Sequence, residues 1–222
     1  MQIQSLPTAT GYIHEVCGEL LTLLPQKAIY WAAKKLLIIS DLHLGKATHF
    51  RKHGLPVPSE VADYNFLDLD ALMLATQPKE VILLGDLFHS KINSEWEAFR
   101  QWRCQHEGIA FHLVMGNHDI LKKETYHECQ LTMYALTYQV LPFVFSHEPL
   151  NDATLGYNLA GHIHPSVKVM GKGRQSIKLT CFHFSPLGAV LPAFGNFTGS
   201  CIIKPEKTDD VFLILENSVV KM

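Results

Sequence analysis

The segment Leu36-Leu37-Ile38-Ile39-Ser40-Asp41-Leu42-His43 sets the reading of this chain: a short β-rich apolar run that stops at a carboxylate, with a histidine two residues on. The same grammar recurs four times. Val81-Ile82-Leu83-Leu84 runs into Gly85-Asp86, and Phe111 to Met115 into Gly116-Asn117-His118-Asp119. Phe143-Val144-Phe145 precedes Ser146-His147, and Tyr157 to Ala160 precedes Gly161-His162-Ile163-His164. Each polar group therefore sits just past a predicted buried strand, at the end where open α/β sheets gather their ligands.

Between the early strands the spacing predicts helices. One is capped by Ser59 and runs to about Ala75, with Val61, Phe66, Leu67, Leu69 and Leu72 on its apolar stripe. A second runs from about Ser94 to His106, with Trp96, Phe99, Trp102 and Arg103 near one side. After Cys129 short alternating strands take over, ending with Asp210 to Leu215. Alternating β and α first and mostly strands later imply an α/β fold of two sheets face to face, with helices outside. No repeat, low-complexity tract or Pro/Gly/Ser-rich linker interrupts the chain, so residues 1–222 are expected to form a single domain.

The ligand chemistry follows from residue types. In an extended loop Asp41 and His43 turn to one side and hold one ion, and His162 and His164 share a face in the same way. Asp86 has two carboxylate oxygens and can bridge two cations, which no imidazole can do. Asn117 adds a neutral oxygen, and His147 completes the set. Oxygen and imidazole donors without thiolate suit Mn²⁺, Fe or Zn²⁺ rather than Ca²⁺. Two such divalent metal ions about 3.5–4 Å apart would activate a bridging hydroxide as nucleophile and stabilise a phosphate. His118 is then left as general acid for the leaving oxygen, with Asp119 placed to orient it. Any one of these words alone is weak; all of them in order, each after an apolar run, point to a two-metal phosphoesterase.

Composition sets limits. A net charge of −2 over 222 residues leaves no basic field across the whole surface, so binding to DNA needs a local patch. Lys46, Arg51 and Lys52 follow the first ligands, and Lys168, Lys172, Arg174 and Lys178 follow His164. Either group fits phosphate contact or solvated loop charge, and Gly171-Lys172-Gly173-Arg174 also reads as a hairpin turn. Phe50 is a candidate for base stacking, whereas Phe182 reads as core. Arg51, His89, Lys172 and Arg174 are the candidate substrate contacts. His112 reads as a core histidine with a partner. His14, His49, His53, His106 and His127 read as surface or loop residues, and His183 as a second candidate for the cleft.

Five widely spaced cysteines fit reduced thiols. Met1 to Gly11 lacks the pattern of a signal peptide, and no apolar run is long enough for a bilayer. A cytoplasmic protein without a membrane partner is expected. The C-terminal strand, Val211 to Leu215, is open to pairing internally or across a homodimer.

These words resemble those of the calcineurin-like metallophosphoesterases, whose fold is a four-layered α/β/β/α sandwich. Gly85-Asp86-Leu87-Phe88-His89 looks like the version in the DNA double-strand-break nucleases of that superfamily. A closer resemblance covers Ser40 to Lys46, Gly54 to Pro58, Leu159 to Pro165 and Leu191 to Gly199. It is to the bacterial ligase-associated DNA-damage-response endonuclease family (PdeM type). The resemblance implies a manganese-dependent phosphodiesterase or nuclease with a functional link to a DNA ligase or helicase system. By its pattern Asp41, His43, Asp86 and His164 hold one ion. Asp86, Asn117, His147 and His162 hold the other, and His118 is the acid. The same frame serves small-molecule phosphatases and nucleotide or cyclic-nucleotide hydrolases. A non-catalytic, protein-binding scaffold is the third reading, disfavoured because every ligand position and His118 are filled.

Overall fold

A computed structural model describes residues 11–46, 61–89, 91–152, 154–171, 173, 175–196 and 198–222, with backbone alone at 61–63. Arg51, Lys172 and Arg174, and with them His49, Phe50, Lys52, His53 and Ser59, lie outside the described residues.

The first sheet has seven strands in chain order. β1 (Tyr12–Val16), β2 (Glu19–Leu24), β3 (Ala28–Trp31) and β4 (Leu36–Ser40) form an antiparallel meander. From β4 onward the pairing is parallel, through β5 (Glu80–Leu84), β6 (Ala110–Val114) and β7 (Leu131–Tyr134). Parallel strands need crossovers, and these are α1 (Val61–Thr76), α2 (Ser94–Cys104) and α3 (Lys123–Glu128). Asn93 caps α2, its side chain accepting from the Glu95 N–H.

The second sheet contains β8 (Thr137–Val140), β9 (Phe143–Ser146), β10 (Tyr157–Ala160), β11 (Pro165–Met170), β12 (Ser176–Phe184) and β13 (Gly188–Val190). β14 (Cys201–Ile202), β15 (Asp210–Ile214) and β16 (Val219–Lys221) complete it. β9 and β10 run parallel. β15 is flanked by β12 on one side and β16 on the other, so the C-terminal strand pairs internally on both sides.

The two sheets share one core. Leu21, Ile29, Trp31, Ile38, Ile82 and Val114 of the first meet Phe143, Phe145, Leu159, Phe182 and Phe212 of the second. On the other face of the first sheet, Leu37, Ile39, Val81, Leu83 and Phe111 pack under Leu69, Leu72, Trp96, Phe99, Trp102 and Tyr126 of the helices. This is the sandwich expected from the alternating pattern. Two details differ from the sequence reading. Leu67, placed on the stripe of α1, is 60% exposed, and Met73 packs in the core instead. Among the described residues no α-helix follows α3, and the outer face of the second sheet carries its own small cluster of Val167, Cys181, Val211 and Leu213.

β4, β5 and β6 are parallel in one sheet and β9 and β10 in the other, and the residues just past their carboxyl ends meet at one rim of the sandwich. That rim is where every candidate ligand falls.

Candidate metal centre

The loops leaving these strands are not extended, as the spacing suggested, but left-handed. Asp41, His43, Asp86, His162 and His164 all have positive φ, between 48° and 68°. They are half of the ten non-glycine residues in that region among those described. Such backbone costs about 1–3 kcal/mol per residue and persists only where the surroundings enforce it. Concentrated at two x-spaced pairs and the residue between them in the chain, it turns Asp41 with His43, and His162 with His164, toward a common point. Gly85, at φ +72°, shows how close the packing is: a Cβ there would overlap the His147 ring.

Two groups of donor atoms result. In the first, His43 Nε2 lies 3.4 Å from His164 Nε2, His164 Nε2 lies 3.2 Å from Asp41 Oδ1, and Asp86 Oδ2 is 3.8 Å from His43 Nε2. In the second, His147 Nε2 is 3.0 Å from Asn117 Oδ1, 3.1 Å from His162 Nδ1 and 3.5 Å from Asp86 Oδ1. Asp86 thus offers one oxygen to each group. Asp41 Oδ1 is also within 3.9 Å of His147, but of Nδ1, which faces the Leu84 carbonyl at 3.0 Å and carries the proton. Asp41 falls in a cluster with His43 and His164 and in another with Asp86 and His147, and Asp86 is the carboxylate whose oxygens face an Nε2 in each group.

The surroundings fix which nitrogen points inward. His164 Nδ1 donates to the Gly199 carbonyl at 3.0 Å, which turns Nε2 toward Asp41; burial works against the charged ring, but Asp41 holds the imidazole above its usual range. Burial pushes the His43 imidazole down to about 3, so it is neutral and its lone pair is free. Burial also works against the Asp41 carboxylate, but its interactions with His164 and Ser40 win and hold it below the usual carboxylate range. Ser40 Oγ donates to Asp41 Oδ2, which also accepts from the His162 N–H.

Do these residues fit divalent metals? Asp41 Oδ1 and His43 Nδ1 are buried with no hydrogen-bond partner. Imidazole nitrogens, carboxylate oxygens and an amide oxygen converge at close range. Convergent acceptors repel unless a cation lies between them, so the donor set fits one ion in each group.

His118 belongs to neither group. Its N–H donates to Asp86 Oδ1 at 2.9 Å, and its ring stands 5.8 Å from His43 and 4.0 Å from His89. His89 in turn lies 5.3 Å from His43. His183 is taken by Asp209 at 2.8 Å. His112 hydrogen-bonds Tyr134 at 3.1 Å, as a strand histidine with a partner should. His14 is not a loop residue but a strand residue whose ring packs on Phe184 and Phe212.

Asp119 departs from the role read for it in the sequence. One oxygen accepts from the Leu87 and Phe88 N–H groups at 3.0 and 3.3 Å, the other from Gly116 N–H at 2.9 Å. Its carboxylate is spent on backbone and ties the Asp86 loop to the Asn117 loop rather than orienting the His118 ring. Burial, the largest influence, pushes its carboxyl up to about 6 against the hydrogen bonds from Gly116 and Phe88.

A family model described as Calcineurin-like phosphoesterase matches residues 34–199, a span that holds every residue of both donor groups. The chain belongs to the calcineurin-like phosphoesterases. It is thus a metallophosphoesterase, a hydrolase of a family that binds divalent metals. The crystal structure of Pseudomonas putida nuclease MPE is similar with a TM-score of 0.78 and 30% identity, over 92% of this chain and 96% of that one. The phosphoesterase Yfce from E. coli is more distant, at TM-score 0.41 and 13% identity over 82% of this chain and 88% of that one. No curated protein sequence matches.

Several contributors to this phosphoesterase site are silent in sequence. Ser40 looks like the end of a strand, and the Leu84 and Gly199 carbonyls have no side-chain signature. Lys46, by contrast, was marked by its place after His43, and its charge does act on Asp86, Asp41 and His43.

Proposed function

We propose that this calcineurin-like phosphoesterase is a two-metal phosphodiesterase that cleaves DNA, with Mn²⁺ as the working ion. The observation that carries the reading is Asp86: its two oxygens face two separate acceptor groups whose tautomers are fixed from behind. Asp41, His43, Asp86 and His164 would hold one ion, and Asp86, Asn117, His147 and His162 the other. Bound divalent ions supply charge for the phosphoryl oxygens and lower the pKa of the attacking water.

The chain's own residues do the rest. Only two carboxylates, Asp41 and Asp86, lie among the donors, so the loaded site stays positive and accepts an anionic diester. As the water oxygen bonds to phosphorus, the P–O bond to the leaving group breaks. His118 gives its proton to that oxygen and regains one from solvent. His89, its ring tilted against that of His118 at 4.0 Å, is the neighbour of the proposed acid. The likeness to a nuclease over nearly all of both chains supports nucleic acid over a small ester. The damage-response setting, with a functional link to a DNA ligase or helicase, belongs to the same reading, as does a reducing cytoplasm, with five free cysteines. No helix among the described residues is long and apolar enough to cross a membrane.

Nicking of supercoiled plasmid and degradation of single-stranded DNA with Mn²⁺, beside Asp86→Ala protein purified in parallel, tests this reading. Cleavage by the wild type alone is expected. Hydrolysis of bis-p-nitrophenyl phosphate without any DNA cleavage would reject DNA and leave a small diester as substrate.

A further inference from the structure

The stretch Leu191 to Gly199 resembles a family segment but supplies no ligand, and the structure shows where it goes. Phe194 N–H donates to the Ser40 carbonyl and Gly195 N–H to that of Asp41, so the loop lies along the strand end that presents the first ligands. Between this loop, His164 and the β2–β3 turn is a cavity of about 170 Å³ lined by Lys27, Thr180, Asn196, Thr198 and Ser200. Among the described lining residues the only ring is that of His164. At 170 Å³ it is well below the roughly 300–1,000 Å³ of pockets that enclose whole ligands, and is sized for one small polar group.

Its electrostatics select the sign. Lys27 Nζ reaches the Phe194 carbonyl at 3.3 Å and Asn196 Oδ1 at 3.2 Å, both neutral acceptors. Among the described residues it makes no direct ion pair; the Asp68 carboxylate that acts on it from farther off accepts from Asn196 Nδ2. On the far side Lys178 donates to the Ser200 carbonyl at 3.0 Å. Lys178 stands directly opposite Lys168 in the β11–β12 register. Neither of these two lysines lines the cavity, but Lys178 adds positive charge at Ser200, which does.

We propose that this cavity is a subsite for a second phosphate of the substrate, the one next to the phosphodiester at the metal centre, with Lys27 as its counter-charge. The inference rests on the phosphodiesterase reading and deepens it: the preferred substrate carries consecutive phosphates, as a polynucleotide does. His164 joins the two sites, one ring nitrogen facing the first donor group while its side chain also lines the cavity.

Binding decides this without turnover. Thymidine 3′,5′-bisphosphate is titrated against the thymidine 5′- and 3′-monophosphates into the Mn²⁺-loaded full chain at fixed ionic strength. A charge-assisted second contact gives the bisphosphate an advantage of roughly 10- to 100-fold. Lys27→Asn should reduce that ratio to about one, because asparagine accepts the left-handed backbone at this position (φ 62°) while removing the charge. Lys27→Arg should keep most of it. Equal affinities in the wild type, or a preference that survives Lys27→Asn, overturn the subsite. Parallel hydrolysis of bis-p-nitrophenyl phosphate separates the two claims. Turnover with no bisphosphate preference sinks the subsite alone, whereas a Lys27-dependent preference without turnover sinks the phosphodiesterase reading.

Discussion

His147 Nδ1 lies 3.0 Å from the carbonyl oxygen of Leu84, the last residue of β5 and the one before Gly85-Asp86. The contact joins the two sheets at the rim and fixes the imidazole tautomer, so that Nε2 faces Asn117, His162 and Asp86. The donor sets are thus held by backbone before any ion arrives. Chelation should therefore destabilise the protein without unfolding it. The more tightly held of the two ions alone, at 100 times its Kd, adds about 2.7 kcal/mol, which sets the least effect expected. At roughly 2–4 °C per kcal/mol for a chain of this size, EDTA should lower Tm by at least about 5–11 °C, reversed by Mn²⁺. A Tm indifferent to both, by calorimetry, would mean that no ion binds the native state.

His118→Ala should leave metal content intact, since the ring belongs to neither donor group, and lower turnover by roughly 10²–10⁴-fold on a substrate with an alkoxide leaving group. The loss should shrink with p-nitrophenolate, which needs no proton to leave. Equal losses on both substrates would argue against an acid.

Asp119→Ala should act on stability first. It strands the buried N–H groups of Leu87, Phe88 and Gly116, where even one unmade buried hydrogen bond costs about 1–3 kcal/mol. A total near 3 kcal/mol corresponds to a Tm drop of roughly 6–12 °C. If instead Tm holds and only the pH–rate profile moves, the carboxylate acts on the His118 ring after all.

Gly161→Ala places a methyl group on Ser40 Oγ and Asp41 Oδ2. Overpacking of this kind costs about 1–3 kcal/mol, and here the group that must yield is a ligand. Mn²⁺ affinity should fall more at the Asp41 site than at the Asn117 site, which electron paramagnetic resonance can follow as loss of the coupled two-ion signal. A variant with an unaltered coupled signal would show that Asp41 is not held by this contact.

How much of this was legible in the sequence depends on range. Each donor word follows an apolar run, and the runs are strands β4, β5, β6, β9 and β10 within a residue of their expected ends. Periodicity and chain order sufficed because burial on both faces leaves parallel strands uniformly apolar. The left-handed backbone at Asp41 and His164 was not legible, because aspartate and histidine adopt it only under tertiary constraint. The contacts of Asp119 are not legible, because its place two residues after Asn117 says nothing about which N–H groups a buried carboxylate will find. Lys27 carried no signal at all, being brought to Asn196 only by the folding of the β2–β3 turn against the loop after β13.

In this reading Asp86 serves two ions at once. Manganese per chain, measured by inductively coupled plasma mass spectrometry after equilibrium dialysis, tests it most directly, with wild type and Asp86→Ala side by side. Two ions in the wild type and fewer than one in the variant are expected. One ion in the wild type, or two retained in the variant, would contradict the bridge and the two-metal centre with it.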